Sequence, residues 1–172
     1  MAMPSLPMPS LPTHATATSR APGAPALICR VRDRLCALPL EHVVETMRPL
    51  PIETLASMPR FLRGLARARG NPLPVVDLGA LLGGDTAARP TRFVMVRVDE
   101  RRVLLAVEEV LGVRDLSLAA VHGLPPLLGA GEGGQSAVTS VGTLDAALLL
   151  VLQTARLVPA STWVALAQER GT

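Results

Sequence analysis

From residue 26 onward the chain sets short apolar runs between polar turns. In ALICRVR, Leu27, Cys29 and Val31 alternate with Ile28, Arg30 and Arg32. Period two with arginines on one side predicts a half-buried strand. Asp33 and Arg34 predict a turn, and LCALP the return strand, which puts Cys29 and Cys36 on the same inward face. Residues 40–48 carry two signals at once. Leu40, Val43, Val44 and Met47 have helical spacing, whereas Val43, Val44 and Thr46 are β-branched and favour a strand. The pattern leaves both open. Pro49, Pro51 and Pro59 then break the chain, and Gly70-Asn71-Pro72 marks a turn that separates 62–69 from 73–78 as a hairpin. Gly83-Gly84 ends the first half.

The second half repeats the style. Segments 92–98 and 103–107 flank Asp99-Glu100-Arg101, and 110–114 forms a short further strand. Residues 115–136 are rich in Gly, Pro and Leu and read as a loop. Segments 137–144 and 147–152 flank Asp145-Ala146 as a last hairpin. Only 161–169 has a helical pattern, with Trp163 as a docking anchor. Short strands with turns every 8 to 12 residues predict an all-β protein, a sandwich or barrels.

Residues 1–25 differ. They hold six of the sixteen prolines, and MPSLP occurs twice, at 3–7 and 8–12. Such a stretch lacks the apolar surface to offset its ordering entropy, so a disordered Pro-rich tail is expected, with a short docking peptide as the alternative. It lacks the basic start and apolar core of a secretory signal, which makes a reducing cytoplasm the default. The remainder fits one domain, or two small ones sharing a core, in a chain of 172 residues that is 49% hydrophobic and 18% charged. The longest apolar run near the C-terminus, 146–152, is far short of the roughly 20 residues a bilayer-spanning helix needs.

Charge changes the picture less than the pI near 10 suggests. The net charge is only +3, and all 17 basic side chains are Arg. Arg60, Arg63, Arg67 and Arg69 form a local cluster. A basic β-barrel binding nucleic acid is therefore an alternative, but Phe61, Phe93 and Trp163 are too few for a base-stacking platform. A search for chemistry finds no constellation. His14, His42 and His122 are isolated from one another, and the two cysteines lack CxxC spacing and read as reduced core thiols. Gly129, Gly131 and Gly134 satisfy G-x-G-x-x-G. The strand before and helix after, which would aim backbone N–H groups at a phosphate, are replaced by Pro125-Pro126 and AVTSV. No enzyme, cofactor or metal is expected, and twin sets of short strands suit binding another protein.

The order of motifs resembles the CheW family of chemosensory adaptors over 26–158. VRDRLCALPL leads to EHVVETMRPLP, then to SMPRFLRGLARARGNPLPVVDLGALLG, TRFVMVRVDERRVLLAVEEVLGV and VGTLDAALLLVLQTARLV. The resemblance implies two small five-stranded SH3-like barrels with short helical segments, at about 26–88 and 89–158, followed by a tail or short helix at 159–172. It also implies that 40–48 begins as a helical turn and continues as a strand. The implied role is non-enzymatic: coupling the cytoplasmic tip of a methyl-accepting chemoreceptor to the regulatory domain of a CheA-type histidine kinase. It would act in the cytoplasm at membrane receptor arrays, with no cofactor, no nucleic acid and no membrane insertion. Self-association into rings is a further implied property. The receptor's helical hairpin would lie in a groove that includes Val44, Glu45, Gly64, Arg69, Gly70 and Val107, with Glu45 and Arg69 paired across neighbouring strands. Gly64 and Gly70 are backbone requirements first.

The chain departs from the family at Arg67, where Asn is usual, at Gln153, where an acid is frequent, and at Asp145-Ala146, where Asp-Gly is usual. Ala disfavours φ > 0, so a different turn type is expected at 145–146. These departures imply a divergent member, and a regulator of a pilus-motility pathway that has lost kinase binding is the alternative.

Overall fold

Most of the apolar runs become strands with both faces covered. In the computed structural model, residues 23–84, 89–117, 121–123 and 137–169 are described. The strands are β1 (Ala24–Val31), β2 (Arg34–Pro39), β3 (Val43–Met47), β4 (Ile52–Glu53), β5 (Leu62–Ala68), β6 (Asn71–Asp77), β7 (Arg92–Val98), β8 (Arg101–Val107), β9 (Glu109–Leu116), β10 (Val121–Gly123), β11 (Val138–Leu144) and β12 (Ala147–Leu152). Helix α1 (Leu78–Leu81) follows β6, and α2 (Ala160–Glu169) closes the described chain. Residues 40–42 form a 3-10 turn that runs straight into β3, so the segment with two signals is both, in that order.

Two six-stranded sheets result. Their orders are β10-β11-β12-β2-β1-β9 and β3-β7-β8-β6-β5-β4. The all-β class expected from the sequence is observed. The chain does not fill the sheets in sequence order. The N-terminal hairpin β1–β2 sits between β12, which joins β2 in parallel, and β9, while 43–107 builds the other sheet by itself. Segments 26–88 and 89–158 each therefore supply strands to both sheets.

Both sheets must curl. The edge strands of one are β3 and β4, consecutive in sequence, so Met47 and Ile52 lie at most about 18 Å apart along the chain. Six flat strands would hold their edges about 24 Å apart. The other sheet repeats the device, with β9 and β10 as consecutive edge strands. Curling gives each sheet a concave interior and leaves its outer side to be covered by its neighbour. Phe93, Met95, Leu104 and Ala106 form one interior cluster, and Ala26, Ile28, Ala37 and Leu149 the other. The alternate residues of the same strands meet in a shared core. Leu27, Cys29, Val31, Cys36 and Leu38 pack there with Val94, Val96, Val98, Val103, Leu105 and Val107. Strand β1 is therefore not half-buried as expected. Its Ile28 face is covered too, and only Arg30 remains exposed between Cys29 and Val31.

Turn registers differ from the sequence reading by one residue. Arg32 (φ 58) and Asp33, rather than Asp33 and Arg34, connect β1 to β2, so Cys29 stands directly opposite Cys36. Arg69 (φ 51) and Gly70 (φ 80) form a two-residue turn, and Asn71-Pro72 already belong to β6. Within 115–136, β9 continues to Leu116 because Ala24 extends β1 opposite it, and β10 pairs with β11. A three-residue strand is too short to show a period. Ala24 and Pro25 of the expected tail belong to β1, and residues 1–22 of it, like the glycine motif at 129–134, lie outside the described residues.

Helix α2 matches its expected span to within a residue. Arg101 sits 4.6 Å over the Trp163 ring, and this stacking anchors the helix against β8.

The turn at 145–146 corrects an expectation. Asp145 (φ 50) and Ala146 (φ 64) both adopt the left-handed conformation that an Asp-Gly pair would use, closing the Leu144–Ala147 pair. The turn type is kept and the strain is borne by Ala146. Ala146→Gly should stabilise the protein by about 1 kcal/mol. Urea unfolding would show this as a higher midpoint at unchanged slope.

Candidate functional site

Strand β3 is an edge strand with a bulge. Val43 pairs with Val96 and Glu45 with Met95, so Val44 is the extra residue, and it is 46% exposed. A bulge on an edge both blunts the edge and re-aims the side chains beside it. Here it presents Val44 to solvent next to Glu45.

The partner of Glu45 comes from the far side of the sheet. Arg69 Nε donates to Glu45 Oε1 and Arg69 Nη2 to Oε2, each at 2.7 Å, a two-pronged planar contact. The pairing was expected, but between neighbouring strands. Strands β7, β8 and β6 lie between β3 and β5 in the sheet, so the pair does not follow the ladder. It spans the seam between the curled sheet's edges. Strand β4 covers β5 only at Leu65 and Ala66, and the tip of the β5–β6 hairpin beyond it faces β3. The two-residue turn fixes where Arg69 leaves the backbone, and Asn71 Nδ2 donates to the Arg69 carbonyl at 3.3 Å. Hydrogen bonds from Arg69, then the Arg69 and Arg102 charges, hold the Glu45 carboxyl below the usual carboxylate range, while Glu45 raises Arg69. The Arg69 side chain is largely solvated, so the contact contributes shape and charge pattern rather than bulk stability.

The other expected residues take different places. Gly70 is exposed in the turn with nothing within 4 Å of an added Cβ, and its positive φ is the constraint. Gly64 is buried beneath the hairpin. At φ +136, a Cβ there would lie 2.0 Å from the Glu53 carbonyl oxygen, so glycine is what lets β4 lie on β5. Val107 does not join the surface. It is 1% exposed in the shared core, and only its carbonyl is engaged at the rim, accepting from Thr91 N–H at 3.1 Å. Val44, Glu45, Arg69 and Gly70 thus gather at the seam, with Gly64 supporting them from below.

Asp77 was missed as an individual residue. It is buried, accepts from Ala80 N–H at 3.0 Å as the cap of α1, and accepts from Arg63 Nε at 2.8 Å. Arg63 is the extra residue of a second bulge, between Leu62 and Gly64. The signal was present: an Asp just before Leu-Gly-Ala-Leu is a helix start. Cys29 and Cys36 are both free and buried, and burial pushes each thiol up to about 12, so neither is a nucleophile at neutral pH. Among the described residues, no group of three or more His, Cys, Asp or Glu is placed to hold a metal ion.

Comparison with known proteins fits this geometry. Residues 25–161 match the model of the CheW-like domain. The chain belongs to the CheW-like family. Protein FrzA of Myxococcus xanthus is 33% identical over 154 residues, covering 84% of this chain and 95% of FrzA. The crystal structure of the scaffolding protein TtCheW from Thermoanaerobacter tengcongensis superposes with a TM-score of 0.66 at 19% identity, over 76% of this chain and 89% of that one. At that identity the likeness speaks for the fold. This CheW-like chain is thus a member of a scaffold family, and no helix among its described residues is long and apolar enough to cross a membrane.

Two outcomes follow for the seam. Titration of the Glu45 carboxyl, followed by carbon NMR, should have its midpoint below the ordinary value of 4.5, and Arg69→Ala should move it upward. The sign follows from the lowered carboxyl: the pair is intact above the ordinary carboxylate range and is lost as pH falls through the depressed midpoint. Gly64→Ala should destabilise by more than about 2 kcal/mol in urea unfolding, since it adds both positive-φ strain and a backbone clash.

Proposed function

We propose that this CheW-like chain is a non-enzymatic adaptor that couples a chemoreceptor's cytoplasmic tip to the regulatory domain of a CheA-type histidine kinase. It acts in the cytoplasm at membrane receptor arrays. The observation that carries the reading is the Glu45–Arg69 clasp with Val44 beside it: an apolar side chain next to a fixed pair of opposite charges on a bulged edge strand. Such a surface suits a helix that presents an apolar ridge flanked by polar groups. The receptor hairpin lies along it, contacts Val44, and reads the orientation of the two charges.

The arginine cluster supports this over nucleic-acid binding. Arg63 is tied to Asp77 and Arg69 to Glu45, so at least half of the 60–69 cluster is matched by carboxylates. Phosphate contacts need guanidinium groups free to displace counterions.

Paired binding tests the proposal: purified protein against a receptor-tip helical hairpin and, separately, against a kinase regulatory domain. Both should bind. Glu45→Arg and Arg69→Glu should each weaken hairpin binding at least about tenfold, and the double swap should recover most of the loss. Hairpin binding without kinase binding would favour the pilus-motility regulator instead. Binding of neither would remove the adaptor reading.

A further inference from the structure

The C-terminal helix frames two apolar hollows that the clasp does not use. One, of about 310 Å³, lies between α2 and the β5–β6–β8 surface, with Leu65, Leu73 and Pro74 on the sheet side and Trp163 on the helix side. The other, of about 510 Å³, is lined by Ala160, Trp163, Val164 and Ala167. Arg101, stacked on the Trp163 ring, lines both, so the pair is a ridge between them. Positions 160, 163, 164 and 167 share one helix face, and Val164 is 59% exposed, so α2 turns an apolar stripe outward beside the ridge. The helix wall consists almost wholly of residues after 161, where the match to the CheW-like domain ends.

The ridge carries charge that the fold leaves without ion pairs. Arg102 lines the first hollow and stands directly opposite Arg97 on β7. Like charges so placed destabilise a sheet. Arg97 Nη2 donates to the Glu41 carbonyl at 3.4 Å, a neutral acceptor. Among the described residues, no carboxylate lies within ion-pair distance of Arg97, Arg101 or Arg102, Asp99 and Glu100 of the adjoining turn included. Glu45 feels the Arg102 charge, but both of its oxygens are engaged by Arg69. Elsewhere an exposed arginine is met within the fold, as Arg30 is by Glu109 at 3.2 Å.

The occupant has to satisfy both features. Carboxylates complement the arginines, and bulky apolar side chains fill the hollows on either side of the indole. A helix with acidic residues flanking an apolar face supplies both, because its i and i+4 side chains stand about 5–6 Å apart on one side. A nucleic-acid strand would meet the arginines through its phosphates and leave Leu65, Leu73 and Val164 without apolar cover. The α2 helix of a second copy offers one carboxylate, Glu169, at its last residue.

We infer that the Arg101–Trp163 ridge and its two hollows dock an acidic amphipathic helix of a partner protein. None of Val44, Glu45 and Arg69 lines either hollow, so the inference goes beyond the adaptor reading and does not rest on it.

Trp163 is the single tryptophan, so its emission reads the ridge directly. The probe is a capped, Trp-free helical peptide of about 16 residues, with Leu along one face and Glu on both flanks. Added to the full-length protein, it should shift Trp163 emission to the blue and lower acrylamide quenching. The same peptide with Gln for every Glu should bind at least about tenfold more weakly at low salt. Arg102→Glu and Val164→Glu change exposed residues on opposite sides of the ridge and leave the Arg101–Trp163 stack in place. Each should weaken the Glu peptide at least about tenfold. No shift with the Glu peptide, equal binding of the Glu and Gln peptides, or binding indifferent to Val164→Glu would overturn the inference. A blue shift on concentrating the protein alone would assign the ridge to a second copy and overturn it too. So would a shift with anionic lipid vesicles or a single-stranded oligonucleotide but not with the peptide.

Discussion

A strand that is apolar on both faces has to be covered twice, and the architecture follows from that requirement. Strands β1, β7 and β8 each send alternate side chains into the concave side of their own sheet and into the core between the sheets. Neither sheet satisfies its strands alone. A buried Val or Leu contributes about 1.5–3 kcal/mol relative to its exposed state, so a lone sheet would forfeit several such residues on its outer face. The two halves are thus one folding body. The short links between edge strands support this by forcing each sheet to curl, which creates the inner compartments that the second face needs.

The β5–β6 hairpin transmits that constraint to the surface. At its base, Arg63 is held by Asp77, which also caps α1. At its tip, Arg69 is held by Glu45 of the opposite edge. The two ion pairs do different work because their surroundings differ. The first is part-buried, with Gly64 allowing β4 to close over the strand. The second is solvated, closes the seam where no ladder joins β3 to β5, and remains accessible to a partner. Arg63 is itself a bulge residue and Val44, the other, precedes Glu45, so the backbone irregularities are where the sheet directs charge.

What could be read from the residues alone was local. Alternation in ALICRVR and the short apolar runs at 92–98 and 147–152 identified strands, and the polar pairs between them identified hairpins. Turn placement erred by a residue where the flanking signal was composite. Asn71 and Pro72 look like turn residues, yet Arg69 accepts the left-handed conformation and the turn ends at Gly70. The parallel joins β12–β2 and β6–β8 had no signature, because they are set by which faces need covering, not by any short segment. For the same reason Glu45 and Arg69 were expected side by side on neighbouring strands, whereas curvature brings them together. Val107 shows the opposite limit. A valine at a strand end reads alike in a groove or in a core, and only the second sheet decides it.

The placement of β1 and β2 has a consequence for synthesis on the ribosome. The hairpin emerges first but is completed by β9 and β12, which emerge last, while 43–107 can assemble its sheet in between. During translation this hairpin therefore waits with both apolar faces uncovered, its two thiols among them, until β9 and β12 have been made.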